Sequence, residues 1–289
     1  GATMGSGAPT ANAEETAESK RRKRANIMFT RHDVSALDRK EVLQYLFHPR
    51  KDHRPSPPQG AIDFFIPVEE GVRLGARFYP AEPKEPHLLF FHGNGEIVAD
   101  YHDLGPIYVQ MEINFFPVDY RGYGRSSGKP SVSAMMADAH VIFDFVQHER
   151  LERGYTGPLV IMGRSLGSAS AIELAFSYKE HIDGLIIESG FAYAVPLLRL
   201  LGVDPLRLGF KEDEGFRNID KIQAVEKSTL IIHAENDHII PFSDGQALYD
   251  HSGTADKTLL KIAGANHNDI FIKGFEPYMN TVRRFINAL

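Results

Sequence analysis

The chain has 289 residues, which suits a single α/β domain, and its 43% apolar and 24% charged residues are typical of a globular protein with a sizeable core. A net charge of −6 gives no reason to expect nucleic acid as a partner. The absence of cysteine excludes disulfides, thiolate metal sites and a cysteine nucleophile, and it fits a reducing compartment, so we expect a cytoplasmic protein.

Residues 1–26 are polar, small and charged, which predicts a disordered leader, and the stretch Gly1 to Thr3 looks like an expression scar. The leader lacks the apolar segment of a secretion signal, and no apolar run approaches the roughly 18 residues of a membrane-spanning helix. We therefore expect no stable membrane anchor. The basic run Lys20 to Arg24 is either a solvated cluster or a segment that steers the chain to an anionic surface.

Residues 27–289 are predicted to form one domain, which opens with a helix at 36–47, N-capped by Ser35. A proline-rich linker follows, and then two strands at 61–68 and 72–79, joined by Glu-Glu-Gly, predict a hairpin. After the hairpin, apolar strands alternate with helical patterns. The predicted strands lie at 87–92, 113–119, 158–163, 184–189, 229–235 and 258–263, and the predicted helices at 97–111, 132–150, 166–178, 242–250 and 275–288.

Continuously apolar strands separated by helices indicate an α/β fold with a mostly parallel sheet of about eight strands and helices on both faces. One connection, at about 190–228, is far longer than usual and predicts a small helical lid insertion. Its leucines and aromatic residues either bind an apolar substrate group or only pack the lid onto the body of the domain.

The sequence Gly-Arg-Ser-Leu-Gly lies where a predicted strand passes into a helix, which is the pattern of a nucleophile elbow. The glycines Gly163 and Gly167 allow a sharp turn that lifts the hydroxyl of Ser165 above the sheet edge. The alternative is a tight glycine turn that contains an incidental serine.

A serine nucleophile needs a base and an acid that orients the base, in the chain order serine, acid, histidine. Asp237 follows a later strand and is the predicted acid, with Glu235 as the alternative. His267 follows the last strand and is the predicted base. The sequence thus predicts a Ser165–His267–Asp237 triad.

The sequence His-Gly-Asn-Gly ends the first parallel strand and predicts an oxyanion hole. We expect the N–H groups of Asn94 and Leu166 to be the donors, with Gly95 as the alternative to Asn94. His92 is interpreted as a residue that holds the loop through hydrogen bonds, and the alternative is a second base. The glycine-rich loop at 119–131 is expected to brace the site, since it lacks a phosphate-loop signature.

These motifs, in this order from Ala61 to Leu289, resemble the α/β-hydrolase superfamily, most of all the branch with depalmitoylating acyl-protein thioesterases and bacterial esterases. The resemblance implies the triad and a covalent acyl-enzyme. Membrane-bound eukaryotic members use N-terminal cysteines as anchors, and this chain has none. Neither metal-ligand spacing nor a dinucleotide fingerprint is present, so we expect no metal and no cofactor.

The sequence therefore predicts a serine hydrolase that acts on a small-molecule ester or acyl substrate and cleaves a carboxylic ester or thioester bond. Two alternatives stay open. One is a serine peptidase or aminopeptidase with the same fold, and the other is a non-catalytic binding protein on a hydrolase scaffold.

Overall fold

A computed structural model describes residues 32–54 and 56–289. The leader predicted for residues 1–26 and the basic run Lys20 to Arg24 lie outside the described residues. Within them, eight strands form one sheet in the order β1-β2-β4-β3-β5-β6-β7-β8. The strands are β1 Ile62–Glu69, β2 Val72–Phe78, β3 His87–Phe91, β4 Asn114–Val118, β5 Leu159–Arg164, β6 Gly184–Glu188, β7 Ser228–Ala234 and β8 Lys257–Ile262.

Strand directions confirm the predicted mixed sheet. β1 and β2 form an antiparallel hairpin, β2 pairs antiparallel with β4, and the strands from β3 to β8 pair parallel with one another. Every residue of β3, β4, β5 and β6 is buried. Both faces of these central strands are covered, which explains why their sequences are apolar without alternation.

Eight α-helices accompany the sheet in the described part of the chain. They are α1 Lys40–Leu46, α2 Leu104–Gln110, α3 Val132–Glu152, α4 Gly167–Ser177, α5 Ala194–Leu200, α6 Asn218–Ile222, α7 Phe242–His251 and α8 Ile270–Asn287. Buried side chains of α1, α3, α4 and α7 pack in one apolar cluster, and those of α2 and α8 pack in a second. Ile161 of β5 belongs to the first cluster and its neighbour Met162 to the second, because successive strand residues point to opposite faces.

Several predicted helix boundaries are wrong. The helix expected at 36–47 begins only at Lys40, after a 3₁₀ turn at Ser35–Leu37, and its N-cap is Arg39. The helix expected at 97–111 is a 3₁₀ turn followed by α2, which has Pro106 in its first turn. Proline is tolerated in a first turn because the N–H groups there have no helical partner. The chain therefore starts a separate helix at Leu104 and does not form one continuous helix over 97–111.

The last helix begins at Ile270, five residues earlier than predicted, and its backbone leaves helical geometry at Gly274. Pro277 lies three residues further on and removes one helical hydrogen bond, which accounts for a kink at this point. Sequence periodicity detected only the helical part beyond the kink. No helix among the described residues combines the length and apolar character needed to cross a membrane.

The segment between β6 and β7, where the sequence predicts the lid, contains α5, a 3₁₀ turn at Glu212–Glu214, and α6. The Glu212 carboxylate accepts the N–H groups of Ala194 and Val195 at 2.6 and 2.8 Å, which caps the start of α5. Asp244 of α7 accepts the N–H of Ala192 at 2.8 Å. The segment is thereby held against the main body at its first helix.

Candidate active site

Ser165 lies between β5 and α4 with a φ of +52°, a value that residues other than glycine rarely adopt. Its N–H donates to the carbonyl of Glu188 at 2.9 Å. A Cβ at Gly163 would lie 2.3 Å from the carbonyl oxygen of Gly167, and one at Gly167 would lie 2.2 Å from that of Phe91. Both flanking positions therefore require glycine, as the sequence pattern of the elbow predicts.

The imidazole of His267 lies between Ser165 and Asp237. Its Nε2 is 3.0 Å from the Oγ of Ser165, and its Nδ1 is 2.7 Å from Oδ2 of Asp237. All three residues are largely buried. The structure thus brings together the three side chains that the sequence placed in a triad, and their chain order is serine, aspartate, histidine.

The carboxylate of Asp237 accepts backbone hydrogen bonds in addition to the one from His267. Its Oδ1 accepts the N–H groups of Ile239 and Ile240 at 3.0 and 2.8 Å. Burial raises the pKa of Asp237, but the hydrogen bond and charge of His267 and these two N–H groups outweigh burial and lower it overall. An ionised Asp237 accepts a hydrogen bond from the Nδ1–H of His267, which leaves Nε2 of that ring as the acceptor for the serine hydroxyl.

Glu235, the alternative acid, does not reach His267. Its carboxylate accepts the N–H of Gly264 at 2.8 Å and lies 3.8 Å from Lys261, and its side chain is exposed. The structure therefore places Asp237, and not Glu235, beside the imidazole.

The loop after β3 lies against the serine, since a Cβ at Gly93 would be 3.4 Å from that of Ser165. The N–H of Gly93 is bound to the Glu96 carboxylate. By contrast, the N–H groups of Asn94 and Leu166 make no hydrogen bond to a described residue. The N–H of Gly95, the alternative donor, likewise makes no backbone hydrogen bond to a described residue, so these contacts do not separate Asn94 from Gly95.

The side chain of Asn94 fixes the loop from outside. Its Oδ1 accepts the N–H of His48 and the hydroxyl of Tyr123, both at 2.8 Å. Arg50 adds a hydrogen bond to the carbonyl of Gly95 at 3.0 Å. The segment after α1 therefore supports the loop after β3, a role that sequence reasoning missed because nothing in the periodicity of this segment relates it to the site.

His92 is completely buried behind the same loop. Its Nδ1 lies 2.8 Å from the carbonyl of Gly93 and its Nε2 lies 2.9 Å from Oδ1 of Asp119. Both ring nitrogens are occupied, and the residue does not line the pocket above Ser165. This geometry supports a loop-holding role and not a second base. The hydroxyl of Tyr120 donates to the carbonyl of His92 at 2.5 Å, so the loop at 119–131 braces the site.

Arg164, the residue before the serine, is a second feature that sequence reasoning missed. Its buried guanidinium donates to Glu96 and Glu188 at 3.0 Å each and to the carbonyl of His267 at 2.9 Å. A signal was present, because Arg164 and Glu188 are charged residues that close two adjacent apolar strands. In a parallel sheet such residues meet at one edge, and the register indeed pairs them.

Two buried tyrosines complete this ionic cluster. Tyr101 donates to Glu96 at 2.8 Å, and Tyr278 donates to Glu188 at 2.6 Å. Burial raises the pKa of Glu188 against the charge of Arg164, whereas the pKa of Glu96 is lowered because Arg164 and His92 outweigh its burial. The pKa values of the two carboxylates are therefore shifted in opposite directions, although both carboxylates bind the same guanidinium.

A cavity of about 410 Å³ opens above Ser165. Its lining includes the polar residues His48, Asn94 and Asn268. The apolar residues of the lining are Leu46, Leu166, Phe191, Leu197, Leu201, Ile239 and Ile240. Leu197 and Leu201 come from the predicted lid and line this cavity, while Leu198 and Phe210 of the same segment are buried in the core. Among the described residues, no group of three or more histidines and carboxylates is arranged to hold a metal ion.

Comparison with known proteins identifies relatives across most of the chain. Residues 82–202 match the family model described as "Serine aminopeptidase, S33". Alpha/beta hydrolase domain-containing protein 17C of Xenopus laevis is 33% identical over 232 residues, which are 76% of this chain and 68% of the relative. The human 17B protein is 29% identical over 235 residues, covering 78% of this chain and 74% of the relative.

Solved structures with this fold include the Pyrococcus furiosus esterase Pf2001, with a TM-score of 0.67, 17% identity, and coverage of 83% of this chain and 98% of the esterase. A soluble variant of the Saccharomyces cerevisiae monoglyceride lipase has a TM-score of 0.62 and 18% identity, covering 84% of this chain and 98% of the lipase. The sheet order, the sharp turn at Ser165 and the similarity to these relatives all indicate the same superfamily. The chain is a hydrolase of the α/β-hydrolase superfamily and belongs to the family of alpha/beta hydrolase domain-containing protein 17.

Proposed function

We propose that the chain is a serine hydrolase that cleaves carboxylic esters or thioesters through an acyl-enzyme on Ser165. The observation that carries the proposal is the position of His267, whose two ring nitrogens lie 3.0 Å from the hydroxyl of Ser165 and 2.7 Å from the carboxylate of Asp237. Such a chain of groups activates a hydroxyl that is otherwise a poor nucleophile.

In the first half-reaction the Oγ of Ser165 attacks the substrate carbonyl while Nε2 of His267 takes its proton. Asp237 stabilises the resulting imidazolium, and the N–H groups of Asn94 and Leu166 bind the oxyanion. Collapse of the tetrahedral intermediate breaks the bond to the alcohol or thiol, which receives the proton from His267. A water molecule then attacks the acyl-enzyme by the same route and regenerates Ser165.

The apolar residues that line the cavity support an apolar acyl group as the part of the substrate that it binds. Leu197, Leu201 and Ile240 offer aliphatic surface and no hydrogen-bonding side chain. Burial of each methylene against such a surface contributes about 0.8 kcal/mol, so a chain of several carbons adds useful affinity.

An aminopeptidase of the same fold is less well supported. Recognition of a free α-amino group calls for a carboxylate in the pocket, and among the described lining residues the one carboxylate is that of Glu96. Both of its oxygens are already bound, one by Arg164 and Tyr101 and the other by the N–H of Gly93.

The test is labelling with a fluorophosphonate, followed by turnover of p-nitrophenyl esters from acetyl to palmitoyl beside aminoacyl-anilides. Native protein should be labelled, and labelling should disappear in Ser165→Ala but persist in Ser177→Ala, a control at the end of α4. Ester turnover by Ser165→Ala should fall by about 10⁴-fold or more. Absence of labelling in native protein would support the non-catalytic alternative, and turnover of anilides alone would support the peptidase.

A further inference from the structure

The environment of His92 contains hydrogen-bond acceptors at both ring nitrogens. On one side is the carbonyl oxygen of Gly93, 2.8 Å from Nδ1, and on the other is Oδ1 of Asp119, 2.9 Å from Nε2. A carbonyl oxygen can only accept, so Nδ1 must carry a hydrogen. The same Oδ1 also accepts the N–H of Val98 at 2.9 Å, which marks it as an acceptor for Nε2 too.

Neutral imidazole has one N–H, whereas imidazolium has two. We propose that His92 is held as a buried imidazolium paired with Asp119, and that it strengthens the oxyanion hole through the Gly93–Asn94 peptide. The first half of this proposal is independent of the enzyme's activity, and the second half rests on the proposed function. His92 is accordingly a positioning residue, because it acts through a backbone group and does not touch the substrate.

The charges around the ring favour the protonated form. Burial lowers the pKa of His92, but the hydrogen bond and charge of Asp119, the Gly93 carbonyl and the charge of Glu96 together raise it above the usual value. The Asp119 carboxylate is also packed tightly. A Cβ at Gly124, which has a φ of +52°, would lie 1.9 Å from Oδ2, so only glycine leaves room for the carboxylate at this place.

The geometry of one peptide bond links this cation to the site. In a trans peptide the C=O and the N–H point in opposite directions. Since the Gly93 carbonyl accepts a hydrogen bond from buried His92, the N–H of Asn94 points away from that ring, on the side of the peptide opposite to it. Asn94 lines the cavity above Ser165, and its N–H has no acceptor among the described residues.

A cation bound to the carbonyl oxygen also polarises the peptide. Hydrogen bonds in series strengthen one another, and a bond to a charged donor is stronger than one between neutral groups. The imidazolium therefore makes the Asn94 N–H a better donor to an oxyanion, while the carbonyl of Gly93 stays fixed during the reaction.

The first test uses the wild-type protein and needs no substrate. In protein labelled with ¹⁵N at histidine, His92 should show two protonated ring nitrogens at neutral pH, each coupled to one hydrogen. Its signals are assigned by their loss in His92→Gln. A non-protonated ring nitrogen at neutral pH would overturn the proposal whatever the activity of the enzyme.

The second test removes the counter-charge but keeps the shape, with Asp119→Asn. We expect His92 to lose one ring proton and kcat to fall about tenfold, part of the roughly 10²–10³-fold that one oxyanion donor is worth, while KM stays unchanged. The matched control Asp63→Asn weakens the ion pair with Arg77 on the outer strands β1 and β2, and kcat should stay at the wild-type value. An unchanged kcat in Asp119→Asn, with His92 singly protonated, would overturn the role in oxyanion binding.

Discussion

The guanidinium of Arg164 donates a hydrogen bond of 2.9 Å to the backbone carbonyl of His267, although 103 residues separate the two in the sequence. The same guanidinium binds Glu96 in the segment after β3 and Glu188 at the end of β6. One side chain next to the serine thus connects the segments that carry Ser165, Asn94 and His267.

Substitution of Arg164 by glutamine should lower the free energy of unfolding by about 3–5 kcal/mol, because Glu188 would remain buried, and Glu96 partly buried, without their cation. Denaturant unfolding followed by circular dichroism measures the change. The control is Arg153→Gln, which removes a half-exposed partner of Glu149 and should cost less than about 1 kcal/mol. Equal losses in the two variants would contradict a special role for the buried cluster.

The second prediction concerns the glycine after the serine. In Gly167→Ala the new Cβ would lie 2.2 Å from the backbone oxygen of Phe91, which no side-chain movement can relieve. We expect a loss of about 3 kcal/mol or more in unfolding free energy. Gly154→Ala is the control, since its φ of +71° is strained but no atom lies within 4 Å of the added carbon, and it should cost about 1 kcal/mol. A mild effect at Gly167 would mean that the turn tolerates a side chain.

Much of the fold and the positions of the site residues could be predicted from the sequence. Apolar strands that alternate with helices imply a parallel sheet, and the carboxyl ends of such strands share one edge. Ser165, Asp237 and His267 each follow a strand, so their meeting at that edge follows from chain order alone. Their catalytic roles stay a prediction until activity is measured.

The contacts that fix the site could not be predicted, because they join residues far apart in sequence by side-chain geometry. Glu96 binds Arg164, which lies 68 positions away in the sequence. Asn94 binds the N–H of His48, which lies 46 positions away. Periodicity reports which face of an element is buried, but it carries no information about which polar groups pair across elements. The missed kink at Gly274 is a different case, because Pro277 is visible in the sequence and removes one helical hydrogen bond at this point.

The third prediction concerns stability in acid. Burial raises the pKa of Glu173, but the hydrogen bonds and charges of His140 and Lys221 outweigh it and lower the pKa to about 2. Because the folded-state pKa lies below the unfolded value of about 4.3, the carboxylate stabilises the fold fully above that pH. This contribution, on the order of 2–3 kcal/mol, is lost as the pH falls towards about 2.

The variant Glu173→Gln should therefore lose less stability than the wild type when the pH falls from about 5 to about 2. At neutral pH it should already be less stable, because Lys221 would be buried without a partner. Urea unfolding at several pH values gives both quantities. Asp237 and Glu96 titrate in both proteins and cancel in the difference. Parallel pH curves for variant and wild type would show that the pKa of Glu173 is not lowered.

The fourth prediction tests whether the apolar residues that line the cavity bind the acyl group. Leu201 follows α5 and lines the cavity above Ser165. A tryptophan at this position would fill space that a long chain needs, so kcat/KM for long-chain esters should fall by about tenfold or more relative to acetyl esters. The control Leu206→Trp alters another leucine of the same segment, which is 78% exposed and outside the cavity lining, and should leave the chain-length profile unchanged. If Leu201→Trp reduced turnover of short and long esters equally, the acyl chain would have to bind away from Leu201.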